Sequence, residues 1–306
     1  MQESRIVIDT DPGVDDAIAI LMALACPTFE IAGLTTVGGN VSLARGTRNA
    51  LALLEYAGRE DIPVAAGAAR PCRGRFRHSY RFHTPTGIGR RLPKPKTQPV
   101  EAGAVEFLAG ALDHAPGGLT IIALGPLTNL ALLLEQYPES LERLKSLVVM
   151  GGAVDVPGNT TASAEFNIHS DAYAANLVLS RVSPITLVEL GACRQAAITR
   201  EDAGILQSSG RLGRLAFQIL ANWFARDGGR QRFEFYDPLT VAAAIDPEVM
   251  TTRRMGLRVG LEDAELFGAT LADDGNPEVA VSCEVDTVRF FGLLEELLGL
   301  RRGNPA

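Results

Sequence analysis

The chain has 306 residues, 46% of them hydrophobic, and a formal net charge of −7. That is enough apolar material for a sizeable core, in one large α/β domain or two smaller ones, while the acidic balance argues against general nucleic-acid or anionic-membrane binding. No apolar run approaches the roughly 20 residues that span a bilayer; Met1-Gln2-Glu3-Ser4 leads into a strand pattern without a signal segment, and the four cysteines are scattered, so a reduced, cytoplasmic protein is expected.

The first element, Arg5-Ile6-Val7-Ile8, reads as a buried strand, and Ala17-Ile18-Ala19-Ile20-Leu21-Met22 as a helix. Between them Asp9, Asp11, Asp15 and Asp16 surround a Pro12-Gly13 turn. This order puts several carboxylates at the carboxyl end of a strand, where open α/β sheets bind ligands. Carboxylates so close repel and raise one another's pKa unless a cation neutralises them. A hard divalent ion held by oxygens, Ca²⁺ or Mg²⁺, is the natural partner. Turn formation and helix capping would account for one or two of these aspartates. Four within eight residues favour a metal site.

Apolar, often β-branched runs recur at 31–37, 119–124, 147–150 and 185–190, separated by helical stretches such as 44–56 and 127–136. This alternation predicts βαβ units: an α/β fold with a mostly parallel sheet. Residues 256–261 and 278–285 read as a small C-terminal hairpin around Asp273-Asp274-Gly275-Asn276, followed by a helix over 289–300. No internal repeat is present.

Residues 62–100 break the composition, with nine Lys or Arg and no Asp or Glu, so that all 36 acidic residues lie outside. A loop of this length is usually functional or disordered. It is either an exposed basic loop balancing an acidic body, or a lid whose Arg75, Arg77 and Arg81 meet an anionic substrate group.

Three further places carry suitable chemistry. Leu124-Gly125-Pro126-Leu127-Thr128-Asn129 follows a strand, and a backbone carbonyl there can ligate a hard cation. Gly158-Asn159 and Ala164-Glu165-Phe166-Asn167 bring amides, a carboxylate and an aromatic, a set suited to a polyol. Tyr236-Asp237-Pro238 precedes an apolar stretch, and Asp as N-cap with Pro at the first helical position would explain it locally.

Together these segments, with Thr36-Val37-Gly38-Gly39-Asn40 and Met150-Gly151-Gly152, resemble the inosine-uridine-preferring nucleoside hydrolases, in family order from about residue 5 to past residue 290. The resemblance implies a single hydrolase domain over residues 1–306, with an open, mostly parallel, Rossmann-like sheet flanked by helices, and a homodimer or homotetramer. It implies that Asp11, Asp16, Asp237 and the Thr128 carbonyl hold Ca²⁺, and that Asp11 is the general base on the metal-bound water. Asp15, Asn40 and Asn167 would bind the ribose diol or orient the water, with Asn159 and Glu165 at the 5′-hydroxyl and Phe166 beside the base. Asp9 would stand behind the ligands. His83 matches a lid histidine near the sugar.

One position departs from the family's best-understood branch, which has a histidine before the second metal aspartate to protonate the departing base. This chain has Tyr236. A phenol, with an ordinary pKa near 10, could donate its proton, stack on the base or simply pack. Trp223 and Phe224 are candidates for the base pocket or for the core. Purine against pyrimidine stays open. Two rival readings exist: a nucleoside-binding protein without turnover, and a haloacid-dehalogenase-like phosphatase with Asp9 as nucleophile. The latter leaves Asp15-Asp16 and Glu165-Phe166-Asn167 unexplained.

Overall fold

The computed structural model describes residues 3–302; Met1 and Gln2, part of the opening read above, lie outside the described residues. Nine strands form the main sheet: β1 (Ser4–Thr10), β2 (Phe29–Thr36), β3 (Val64–Ala66), β4 (Leu119–Ala123), β5 (Ser146–Met150), β6 (Ile185–Val188), β7 (Met250–Val259), β8 (Thr270–Ala272) and β9 (Glu278–Val285). Their order across the sheet is β8-β7-β9-β6-β5-β4-β1-β2-β3. All neighbours from β9 to β3 are parallel, and only β7 runs against its two partners.

Alternation along the central strands builds two apolar faces, as side chains of period two require. Ile6 and Ile8 of β1 and Val148 and Met150 of β5 enter one cluster. Val7, Leu147 and Val149 enter the other. The first face carries the helices Val14–Ala25, Leu43–Ala57, Gly210–Ala225, Tyr236–Ile245 and Thr287–Leu298, and the second Ala104–His114, Thr128–Gln136 and Ala172–Arg181. The helix Val14–Ala25 is apolar all round because it is enclosed by the other four helices of its face.

The central strands fall where the periodicity predicts, within one or two residues at each end, and the first helix runs three residues beyond the predicted 17–22 at each end. The C-terminal hairpin differs. The strand beginning before residue 256 starts at Met250, and Glu278–Val285 pairs parallel with β6 through Ala280↔Thr186, so the hairpin extends the main sheet. Alternation in 250–255 is masked by the run Thr251-Thr252-Arg253-Arg254, whose exposed side chains give no apolar stripe.

The chain builds β2 and β3 on one side of β1, then crosses to β4 on the other. The crevice at the carboxyl ends of β1 and β4 is therefore a topological switch point, the place where such sheets bind ligands. Asp9 stands level with Thr35 of β2 and Ala123 of β4, so the aspartates after it emerge directly into that crevice.

Candidate active site

Residues 6–23, from the first strand through the opening loop into the first helix, are buried in a row, and four of them, Asp9, Asp11, Asp15 and Asp16, decide the electrostatics. Asp9 is fully enclosed; its Oδ1 accepts from Thr35 Oγ1 at 2.6 Å and from Asn129 Nδ2 at 2.7 Å. Burial raises its pKa to about 6 against those two hydrogen bonds. Asn129 also donates to the Thr36 carbonyl and accepts from Ala68 N, so it ties β1, β2 and the following loop together. Asp9 is enclosed, with Oδ1 taken by Thr35 and Asn129, and does not line the cavity described below, so the phosphatase reading in which it attacks substrate gains no support.

Asp11 is held through both oxygens by one residue. Asn40 donates its backbone N–H to Oδ2 at 2.5 Å and its Nδ2 to Oδ1 at 3.1 Å. The same Nδ2 donates to Asp16 Oδ2 at 3.0 Å. Asp16 Oδ1 accepts from Thr10 Oγ1 at 2.6 Å, and Oδ2 from Gly13 N at 2.8 Å. Helix capping thus explains one bond of one aspartate. Burial first, then the charge of Asp16, pushes the Asp11 carboxyl well above its usual range. Gly39 permits the arrangement, since a Cβ there would lie 2.0 Å from Asp11 Oδ2.

Asp237 corrects a local expectation. The helix Tyr236–Ile245 begins two residues earlier than the Asp-Pro pattern suggests, and its N-cap is Phe235. Asp237 is therefore inside the first turn, 2% exposed, and its carboxylate meets Asp15 and Asp16. Ligand oxygens of Asp15, Asp16 and Asp237 lie within 4.8 Å of one another. Burial and then mutual repulsion raise Asp15 and Asp237 well above ordinary carboxyls. Asp15 Oδ1 is buried with no hydrogen-bond partner. An all-oxygen donor set with uncompensated charge and an orphaned oxygen fits a hard divalent cation. Asp11, expected among the ligands, borders this group, while Asp15, expected at the ribose, is within it. Thr128 opens the helix Thr128–Gln136 and donates its hydroxyl to Asp171 Oδ2 at 2.7 Å.

A cavity of about 200 Å³ opens above the carboxylates, lined by Asp15, Asn40, Asn159, Glu165, Phe166, Asn167, Tyr236 and Asp237 among others. The polyol set predicted from the sequence is thus brought to one place. Glu165 caps the helix Phe166–Ser170, accepting from Asn167 N and Ile168 N at 2.8 and 3.0 Å. Burial raises its pKa to about 7 against those backbone bonds. Asn167 Nδ2 donates to the Leu124 carbonyl at 2.8 Å, which leaves its Oδ1 without a protein donor among the described residues. Asn159 Oδ1 accepts from Phe166 N at 2.9 Å.

The basic stretch folds over this cavity and is held by the body. Ser79 N donates to the Asn40 carbonyl, and Asn49 Nδ2 donates to both the Pro12 and Thr86 carbonyls. Its contribution to the cavity is Ser79, Phe82 and His83; Arg75, Arg77 and Arg81 are exposed and none lines it. His83 Nδ1 stands 3.4 Å from Asp15 Oδ1, yet it accepts from Val14 N at 3.1 Å. Burial, with Arg230 nearby, lowers its pKa to about 3. The ring is neutral with its proton on Nε2, and the contact with Asp15 is no ion pair.

On the remaining wall Tyr236 donates its hydroxyl to Glu234 Oε2 in a short hydrogen bond. Burial, then the Glu234 charge, raises the phenol far above its ordinary pKa. Phe82 stands 6.4 Å from Tyr236 and 5.2 Å from Trp223. Trp223 and Phe224 are each 4% exposed in the core cluster, behind the cavity wall. Sequence reasoning passed over Ser79, Phe82 and Glu234. Nothing in a loop's composition marks which residues turn inward, and Glu234 ends the short strand Arg232–Glu234 two residues before Tyr236 opens its helix.

Residues 6–292 match the family described as inosine-uridine preferring nucleoside hydrolase. Uridine nucleosidase 1 of Arabidopsis thaliana is 37% identical, covering 90% of this chain and 83% of its own. The pyrimidine-specific ribonucleoside hydrolase RihA of Citrobacter koseri is 35% identical over 96% of this chain and 97% of its own. Among solved structures, the plant nucleoside hydrolase PpNRh1 superposes with a TM-score of 0.89 at 34% identity, covering 96% and 98% of the two chains.

Proposed function

Because the chain belongs to the inosine-uridine preferring nucleoside hydrolase family, we propose that it hydrolyses the N-glycosidic bond of ribonucleosides to free base and ribose, with uridine as a preferred substrate. The observation that carries this reading is the orphaned Asp15 oxygen in a buried carboxylate group at the floor of a cavity lined by diol-binding amides. The pyrimidine preference follows relatives such as the two just described.

The cation, Ca²⁺ in this proposal, would be held among Asp11, Asp15, Asp16 and Asp237 with the Thr128 carbonyl. When bound, it supplies positive charge that orients the ribose 2′- and 3′-hydroxyls and makes water easier to deprotonate. Asp11 takes the proton of the attacking water, and Asn40, bonded to both of its oxygens, fixes the direction of that transfer. As the bond to the base breaks, positive charge builds on the sugar ring, and the carboxylate group favours it. Asn167 Oδ1 accepts from a sugar hydroxyl. Asn159 through its amide N–H and Glu165 through its carboxylate reach the 5′-hydroxyl. His83 offers a neutral N–H on the sugar side, and Phe166 lies beside the base. Tyr236 borders the leaving base, but its own proton is directed to Glu234. The hydroxide left when Asp11 takes the proton adds to the anomeric carbon as the bond to the base breaks with its electron pair; the departing base anion takes up a proton from solvent, and Asp11 returns its own proton to solvent.

The proposal extends to a single domain over residues 1–306, acting in the cytoplasm as a homodimer or homotetramer. No helix of the described residues is long and apolar enough to cross a membrane. Release of uracil and reducing sugar from uridine, abolished by chelator, tests the reaction; a Ca²⁺-loaded protein that binds uridine without releasing base would contradict it.

A further inference from the structure

A second cavity, of about 540 Å³, lies between the first turns of the helix Leu43–Ala57 and the far end of the basic loop. Ser42, Ala44, Arg45, Arg48, Arg91, Leu92, Pro93 and Lys94 line it. Four of these eight side chains are cationic and none is acidic, in a chain whose net charge is −7. No ion pair among the described residues uses Arg45, Arg48, Arg91 or Lys94. Arg48 donates to the Leu92 carbonyl at 3.4 Å, which holds the two walls together. Unpaired like charges gathered on one concavity repel, and proteins scatter them unless an anion is to be met. The helix adds to the positive field: its first turn has no acidic residue, and Ser42 makes no side-chain cap.

From this we propose that the cavity is a binding site for a phosphate-bearing small molecule, distinct from the nucleoside cavity. Two guanidinium groups on the helix wall and a guanidinium and an ammonium on the loop wall would offer a phosphoryl group charge-assisted donors from two sides. The concavity is open, with Arg91, Pro93 and Lys94 exposed on its loop wall, and it has room for a phosphorylated metabolite such as a nucleoside monophosphate, whose remainder would find further contacts beside the phosphoryl group. Occupation would join residues 91–94 to a helix whose Asn49 already holds Pro12 and Thr86.

The test is isothermal titration of the metal-loaded protein with uridine 5′-monophosphate and separately with inorganic phosphate, in low-salt buffer at neutral pH, for the wild type and for the triple variant Arg45→Ala, Arg91→Ala, Lys94→Ala. The expected result is saturable binding by the wild type, tighter for the monophosphate, weakened at least tenfold in the triple variant. Uridine turnover in the absence of phosphate stays unchanged, which separates this site from the active site. Equal binding by both proteins would place the anion elsewhere and overturn the proposal. Absence of binding would also overturn it, and a change of oligomeric state in the triple variant would then identify the cationic cluster as a contact between copies.

Discussion

Replacing Tyr236 by Phe separates two roles that the sequence alone leaves together. The hydroxyl makes one hydrogen bond, to a Glu234 side chain that is 23% exposed. A hydrogen bond to a charged group contributes about 1.5–3 kcal/mol. Water can reach a partly exposed partner once the phenol is removed, so the loss should fall near the lower bound, about 1–1.5 kcal/mol. General-acid help to a leaving group is typically worth about 10²–10⁴ in rate. With the proton committed to Glu234, Tyr236→Phe should lower kcat on uridine less than about tenfold, well below that range. Chemical denaturation at saturating Ca²⁺ measures the first quantity and steady-state release of uracil the second. A hundredfold fall in kcat with an intact fold would refute the reasoning and make Tyr236 the acid that protonates the base.

Asp237→Asn should abolish turnover and yet raise the midpoint of thermal unfolding in chelator, since it removes one of several buried, mutually repelling charges; a lowered midpoint in chelator would contradict the repulsion. Gly39→Ala should cost at least about a hundredfold in kcat, because its Cβ meets Asp11 Oδ2 at 2.0 Å and misplacing the base by an ångström is expensive; wild-type kcat would show that Asp11 is not the base. The metal-free protein should lose stability as pH rises from about 4.5 towards 7. Glu165, raised to about 7 in the fold, favours folding while both states are protonated, and this advantage is lost as pH passes its folded value. Glu165→Gln should flatten that slope in urea titrations, and an unchanged slope would remove Glu165 as its source.

How much of this was legible depended on the range of the interaction. The βαβ alternation and the aspartate cluster are local patterns, and β1, β2, β4, β5 and β6 appear where they were expected. The resemblance puts Asp237 among the metal ligands, whereas Asp-Pro alone also reads as a helix cap; only the fold sets its carboxylate beside those of Asp15 and Asp16. Composition leaves residues 62–100 as either an exposed basic loop or a lid; the stretch does cover the cavity, but Arg75, Arg77 and Arg81 are exposed and do not line it. Its inward residues, Phe82 and His83, are selected by packing on Tyr236 and by the Val14 N–H, which are 154 and 69 residues away along the chain. Asn129 as the strut between β1 and β2 was invisible for the same reason: a single amide bonds Asp9, Thr36 and Ala68 only after folding.

The central claim is that a buried carboxylate group holds a cation essential for breaking the glycosidic bond. Its most direct test is release of base and reducing sugar from a panel of ribonucleosides, with Ca²⁺ and again with chelator. Uracil release from uridine should be abolished by chelator and restored by added Ca²⁺. Turnover that persists unchanged in chelator, with no metal left on the protein, would contradict it.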